Sequence, residues 1–250
     1  MRTFNSLIAK NVRVFSAVLA GLLVSAVCAR AADPVTISGI TQPFMDVTLG
    51  LADAGIIHEE FFKEGDAVKK GDAILELDKS LETIEVERRQ AVMDQDKMIY
   101  ESTAELAKNT KSVSKTDLAK ATAQYNVSTA EYHTAVQELA NRELMAPFSG
   151  TIVEIQLHPG AAVAPYQSVV RLVDTSRCYF IGHVDGVSAS NLHLEQAVKI
   201  KVDGGQTVSG KIVYISPTVD AASGLARIKA IFDNADGKIR PGLAAQMTVE

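Results

Sequence analysis

Hydrophobic and polar positions alternate with a period of two in two stretches of this chain, and the stretches are copies of one another. Residues 55–78, GIIHEEFFKEGDAVKKGDAILELD, and residues 150–173, GTIVEIQLHPGAAVAPYQSVVRLV, superpose at a constant offset of 95. Gly55 falls on Gly150, Ile57 on Ile152, Phe62 on Leu157, Gly65 on Gly160 and Val68 on Val163; Ile74, Leu75 and Leu77 fall on Val169, Val170 and Leu172. Each copy reads as a glycine, a short strand, a turn at Gly65 or Gly160 where positive φ costs little, and a second strand. A single hairpin buries too little apolar surface to stand alone, so the two halves are predicted to close on each other as one small sandwich. Gly55, Gly65, Gly71, Gly150 and Gly160 are its structural glycines.

Between the copies the period changes to about three and a half. Residues 80–107 contain no Gly or Pro and are rich in helix formers, with Leu81, Ile84, Ala91, Met98 and Leu106 at helical spacing. The run Asn109-Thr110-Lys111-Ser112 breaks that helix. Ser114-Lys115-Thr116-Asp117 is a capping box that starts a second one. Its seam is Leu118, Ala121, Tyr125, Ser128, Tyr132, Ala135 and Leu139, spaced alternately by three and four as in an antiparallel coiled coil. Two such helices make a hairpin over residues 80–143 that projects from the sandwich. Pro147 ends it and returns the chain to strands.

Outside the sandwich halves, 55–79 and 144–175, the pattern is β. Residues 32–54 read as lead-in strands, with Val35, Ile37 and Ile40 before Pro43 and Phe44, Val47 and Leu49 after it. From 176 to 250, short alternating strands separated by Asp203-Gly204-Gly205, Pro217, residues 234–237 and Pro241-Gly242 predict a small β-barrel.

Composition narrows the picture modestly. With 250 residues, 47% hydrophobic and 22% charged, the chain is an ordinary folding polypeptide. Residues 1–31 read as a secretory signal: Arg2, Lys10 and Arg13 precede an apolar run, and Ala29-Arg30-Ala31 offers a cleavage site. An uncleaved membrane anchor is the competing reading, but the run is shorter than the roughly 18 residues a span needs. Losing that segment removes four basic residues and no acids, taking the formal charge from −5 to −9, which argues against nucleic acid as a partner. Cys28 leaves with it, so Cys178 has no disulfide partner within the chain.

In this order the pieces resemble the membrane fusion protein (HlyD-like) family of periplasmic adaptors. The matching segments are GIIHEEFFKEGDAVKKGDAILELD, VSKTDL, MAPFSGTIVEIQLHPGAAV, KIVYISPTVD, ARIKAIFDN and KIRPGLAAQM. The resemblance implies a lipoyl/biotinyl-like β-sandwich split by an antiparallel coiled-coil hairpin and followed by a small β-barrel. It implies a non-enzymatic, periplasmic adaptor, peripheral to the inner membrane and assembled as a homo-oligomeric ring. Its partners would be an inner-membrane transporter, an efflux pump of the resistance-nodulation-division type, and an outer-membrane duct protein. Two departures stand out. Duct-docking hairpins of the drug-efflux branch carry an Arg and a Leu before the tip Ser, at the positions of Thr103 and Ala107 if Ser114 is that Ser; this chain keeps only the Ser, with Leu106 one position away. The sequence also ends at the last barrel strand, where longer members of the family continue into a membrane-proximal domain, and the expectation on this sequence is that transporter contact falls to the barrel.

Lys79, in Glu76-Leu77-Asp78-Lys79-Ser80, has the local context of a lipoyl- or biotinyl-bearing lysine, the basis for an alternative carrier reading. A carrier lysine sits on a tight turn between the two halves, whereas Lys79 stands at the entrance to a long insertion, so a structural role is favoured and no cofactor is expected. Gly205 to Lys211 has phosphate-loop spacing, but Ile212 replaces the hydroxyl residue that would reach Mg²⁺, and the motif enters a strand. His58, His133, His158, His183 and His193 are scattered singly, so no metal site is expected. No nucleophile lies in a recognisable catalytic context. The hairpin tip, Leu106, Asn109, Lys111, Ser112, Val113, Ser114 and Lys115, is the candidate partner-binding site, with a solvated polar turn as the competing reading. A pump-independent periplasmic scaffold is the remaining alternative.

Overall fold

A computed structural model describes residues 36–109 and 114–249. The expected signal segment, and Lys111, Ser112 and Val113 of the tip, lie outside the described residues. The elements in chain order are β1 (Thr36–Leu49), β2 (Gly55–Glu60), β3 (Ala67–Val68), β4 (Ala73–Leu77), α1 (Ser80–Asn109), α2 (Lys115–Ala140), β5 (Glu143–Met145), β6 (Gly150–Ile155) and β7 (Ala162–Val163). They continue with β8 (Val170–Asp185), α3 (Gly186–Ala189), β9 (Ala197–Val202), β10 (Thr207–Ile215), β11 (Leu225–Asp233) and β12 (Ala244–Val249).

The repeated halves close by exchanging strands. β2 of the first half pairs with β7 of the second, and β6 of the second with β3 of the first, all antiparallel. The connecting hydrogen bonds repeat at the same offset as the sequence: Gly65 N–H donates to the Ile152 carbonyl at 2.8 Å, and Gly160 N–H to the Ile57 carbonyl at 2.8 Å. Both glycines are left-handed, with φ of 91° and 90°, as the turns require. The aligned pairs Ile57 and Ile152, Val68 and Val163, Ile74 and Val169, and Leu77 and Leu172 are all buried in one core, with Phe62 and Leu157 packed at its margin. A chain repeat thus becomes an approximate twofold axis inside a single body.

The barrel holds a strand the sequence reading kept apart from it. Strands run in the closed order β1, β12, β9, β10, β11, β8 and back to β1. Among the described residues the lead-in region forms one strand, β1, and its first half is a wall of the barrel. Pro43 sits at a register shift between Pro43 and Met45, where a missing N–H does least harm to a ladder. Beyond that shift β1 continues into the sandwich, where Met45 to Leu49 pair with residues 174–170 of β8. β8 likewise runs unbroken through the junction, so no linker separates the two bodies at 175/176. Phe180, Ile200, Ile212, Ile228 and Met247 fill the barrel core. Gly39 and Gly182 lie directly opposite each other there, each against the Phe180 ring.

Candidate partner surfaces of the hairpin and its root

The hairpin springs from between the sandwich halves, and charged side chains hold its root. Arg142, just past α2, donates through Nη1 to the Ala54 carbonyl at 2.8 Å and through Nη2 to Glu82 in the first turn of α1. Its own carbonyl accepts from Leu77 N–H at 2.8 Å. One residue therefore ties both helices to the sandwich wall, and its Nε is buried without a partner.

Lys79 makes the second tie. Its Nζ lies 2.6 Å from Glu76 Oε2 and 2.8 Å from Glu143 Oε1, on the neighbouring strands β4 and β5. These carboxylates stand opposite each other in the ladder, an arrangement that repels unless a cation bridges it. Hydrogen bonding to Glu143, then to Glu76, raises the ammonium pKa above its ordinary value. Lys79 is thus a charged bridge rather than an amine on a free turn.

Up the rod the two helices meet unequally. The α2 seam is as spaced in the sequence: Ser128 and Ala135 are buried, and Leu118, Ala121, Tyr125, Tyr132 and Leu139 are half-buried. On α1 the covered positions are mixed: Val86, Val92, Met93, Tyr100, Ala104 and Ala107 are half-buried, and so are Glu82, Glu85, Arg89, Asp96 and Thr103. Arg89 pairs with Glu131 and with Glu85, Gln124 Nε2 donates to Asp96 at 3.1 Å, and Tyr100 stacks on Tyr125 with centroids 5.6 Å apart. The apolar residues that the spacing singled out on α1 point away from α2. Leu81 is 78% exposed, Ile84 62%, Met98 65% and Leu106 50%, and Ala91 is exposed too. The inward face of α1 carries a different apolar set, Val86, Val92, Met93 and Ala107, interrupted by Glu82, Glu85, Arg89 and Asp96, which find opposite charges or amides within reach.

Of the expected tip residues, Leu106 and Asn109 are exposed on the last turns of α1, Ser114 caps α2, and Lys115 is its exposed first residue. Ser114 Oγ accepts from the N–H groups of Thr116 and Asp117, both at 3.1 Å, which is the hydroxyl half of the capping box. Thr103 and Ala107 are half-buried towards the seam, while Leu106 turns outward. Gly55 and Gly150 take equivalent places in the two halves, where a Cβ would meet Leu77 Cδ1 at 2.9 Å and the Val173 carbonyl at 2.6 Å. Gly71 is left-handed in an open turn. Among the described residues no cluster of His, Cys, Asp and Glu has metal-binding geometry, and no helix is long and apolar enough to cross a membrane. The phosphate-loop-like run is a turn through left-handed Gly204 and Gly205 into β10.

Comparison with known proteins agrees with this architecture. Residues 47–175 match the family described as RND MFP, barrel-sandwich hybrid domain, and residues 183–250 match the CusB-like beta-barrel domain. The chain is 27% identical to nodulation protein NolF of Rhizobium meliloti, over 85% of this chain and 62% of that one. It is 26% identical to multidrug resistance protein MexA of Pseudomonas aeruginosa, over 76% of this chain and 54% of that one. The chain thus spans less than two thirds of the length of these curated relatives. A crystal structure of a MacA–MexA chimera carrying the Pseudomonas aeruginosa MexA α-hairpin shares the fold, with a TM-score of 0.75 at 21% identity over 87% of this chain and 81% of the chimera.

Proposed function

The chain belongs to the RND membrane fusion protein family, and we propose that it acts as a periplasmic adaptor coupling an inner-membrane transporter of the resistance-nodulation-division type to export across the cell envelope. MexA is named a multidrug resistance protein, and the efflux class is what we carry over from it. The role is one of coupling and needs no covalent step.

The observation that carries this reading is the rooted rod. A 30-residue helix, about 45 Å long at ~1.5 Å per residue, leaves a compact double body and returns to it, fixed at its base by Arg142 and Lys79. A free rod would not need so firm a root, whereas one that links two assemblies does. In this reading the barrel meets the transporter, the sandwiches stand side by side in a ring, and the hairpins reach towards an outer-membrane duct. Small contacts repeated around a ring gain strength from multivalency.

The test is affinity recovery of the tagged chain from solubilised membranes of its own host, with identification of what comes with it. Co-recovery of an inner-membrane transporter is expected, and replacing residues 80–140 by a short flexible linker should abolish export while the transporter is still recovered. Recovery of the chain free of any transporter, from cells whose export is intact, overturns the proposal in favour of a pump-independent scaffold.

A further inference from the structure

We infer that a cleft on the outer wall of the barrel is a binding site for a small aromatic anion, a ring compound that carries a carboxylate. Outward residues of four neighbouring strands, β1, β8, β11 and β10, build it. In the middle row of that wall Gln42 stands opposite Tyr179, Tyr179 opposite Ile231, and Ile231 opposite Lys211. One row nearer the sandwich, Arg177 stands opposite Asp233, with Phe44 to one side and Ser209 to the other. The cleft, about 330 Å³, opens over half-buried Ile231 between Arg177 and Lys211. That is the size of a small-molecule site with an apolar floor and a polar rim.

The charges around it are left open by the chain itself. Opposite charges that face each other across a ladder ordinarily pair. Among the described residues, Arg177 and Asp233 form no ion pair, with each other or with any other side chain. The Arg177 guanidinium lies instead over the Phe44 ring, 3.7 Å from its centroid, and Phe44 packs on Tyr179 with centroids 5.6 Å apart. A guanidinium stacked in this way keeps its planar fork of N–H groups, which matches a carboxylate in two parallel hydrogen bonds.

The other cations point to the same ligand. Lys211 pairs with Glu195 at 2.6 Å through one of three ammonium donors, on the exposed far rim. Lys229, two residues before Ile231, lies 5.7 Å from the Tyr179 ring centroid and 5.9 Å from that of Tyr214. A ring laid on Ile231 beside Tyr179 would thus bring its carboxylate among Arg177, Lys211 and Lys229. Asp233 is the one unpaired carboxylate on the cleft and opposes an anion there, so it weakens the site without reversing its preference. The site needs neither a transporter nor a second copy of the chain, and it goes beyond the adaptor reading without resting on it.

The experiment is calorimetric titration of the full chain with three probes of one shape: naphthoate, neutral naphthol and cationic naphthylmethylammonium. Naphthoate should bind saturably, one per chain, and the other two at least about tenfold more weakly, the scale set by one charge-assisted hydrogen bond. Arg177→Gln should weaken naphthoate by about tenfold, and Lys211→Gln by less, because that ammonium is shared with Glu195. Asp233→Asn should tighten it. Lys97→Gln, exposed on α1, should change nothing. Arg177 and Lys211 are both exposed, so the variants should fold, and unchanged far-UV circular dichroism verifies it. Naphthoate that fails to saturate overturns the inference and leaves this face to a protein partner. Naphthol bound as well as naphthoate, or binding untouched by Arg177→Gln, overturns it in favour of a merely apolar surface. Preference for naphthylmethylammonium overturns it by making Asp233 the ligand-binding group. None of these results alters transporter recovery, which tests the adaptor reading separately.

Discussion

Tyr166 occupies in the second half of the sandwich the place that Gly71 occupies in the first. The N–H of Gly71 donates to the Ala146 carbonyl at 2.9 Å, and that of Tyr166 to the Leu51 carbonyl at 2.7 Å; their φ angles are 90° and 60°. A side chain in the left-handed region costs about 1–2 kcal/mol, and Tyr166, 83% exposed, recovers none of it by packing within the chain. Tyr166→Gly is therefore expected to raise stability by up to about 1 kcal/mol, after the entropy that glycine adds to the unfolded chain. Denaturant titration reads this directly, and a loss of stability would contradict it.

Arg142 is the strongest tie at the root, with a carbonyl and a carboxylate bonded in two directions. Arg142→Ala should cost about 2 kcal/mol, the range for hydrogen bonds that involve a charged group. Arg142→Lys should not restore it, because a single ammonium lacks the planar fork that reaches both acceptors. Lys79→Ala should cost less, since that side chain is 35% exposed and solvent screens its pairs. Thermal unfolding followed by far-UV circular dichroism would rank the three.

Glu85 gives the hairpin a dependence on pH. Hydrogen bonds from Arg88 and then Arg89 hold its carboxyl at about 2, against an ordinary 4.5. The folded form binds the proton more weakly than the unfolded one, so the stability from this group is complete above pH 4.5 and is lost as pH falls towards 2. The rod's melting temperature should fall across that window in wild type, and the fall should be smaller in Glu85→Gln.

The hairpin also shows where sequence patterning succeeds and fails. Spacing located the α2 seam to the residue, because Ala135 and Ser128 are small and sit where close packing needs them. The same rule cannot orient α1, which carries apolar residues on both faces, Leu81, Ile84 and Met98 outward and Val86, Met93 and Tyr100 inward, with charges mixed into the inner face. Charges turn inward there only because partners on α2 and past its end, Glu131, Gln124 and Arg142, lie 28–60 residues away in sequence and close in space. The sandwich was legible because the chain repeats itself. The sixth barrel wall was not, since β1 pairs with β12 at the far end of the chain, and no local pattern encodes such a partner.

Gly39 and Gly182 test the barrel. A Cβ on Gly182 would lie 2.8 Å from the Phe180 ring, and one on Gly39 would lie 2.2 Å from the Ile181 carbonyl oxygen. Gly182→Ala should cost about 1–3 kcal/mol as the ring shifts, and Gly39→Ala should cost more, because backbone cannot yield as a ring can. Chemical denaturation with Phe180→Leu as a second background would show whether the ring is the obstacle: that change should ease Gly182→Ala and leave Gly39→Ala severe.

Cys178 reports on the same core. Burial pushes its thiol up to about 11 from 9.0, so the group's contribution to stability is complete below pH 9 and is lost as pH rises through 11. Alkylation at pH 8 should be slow in the native protein and fast in denaturant, and rapid native labelling would mean that the barrel opens locally.

Two strands, β1 and β8, belong to both bodies at once, with a single register shift at Pro43 between their two paired stretches. Force arriving at the sandwich from the rod therefore reaches the barrel through a ladder loaded along its length, where many hydrogen bonds resist together, rather than through a flexible tether that would go slack. Such a molecule behaves as a stiff lever, and a displacement at one end is delivered at the other.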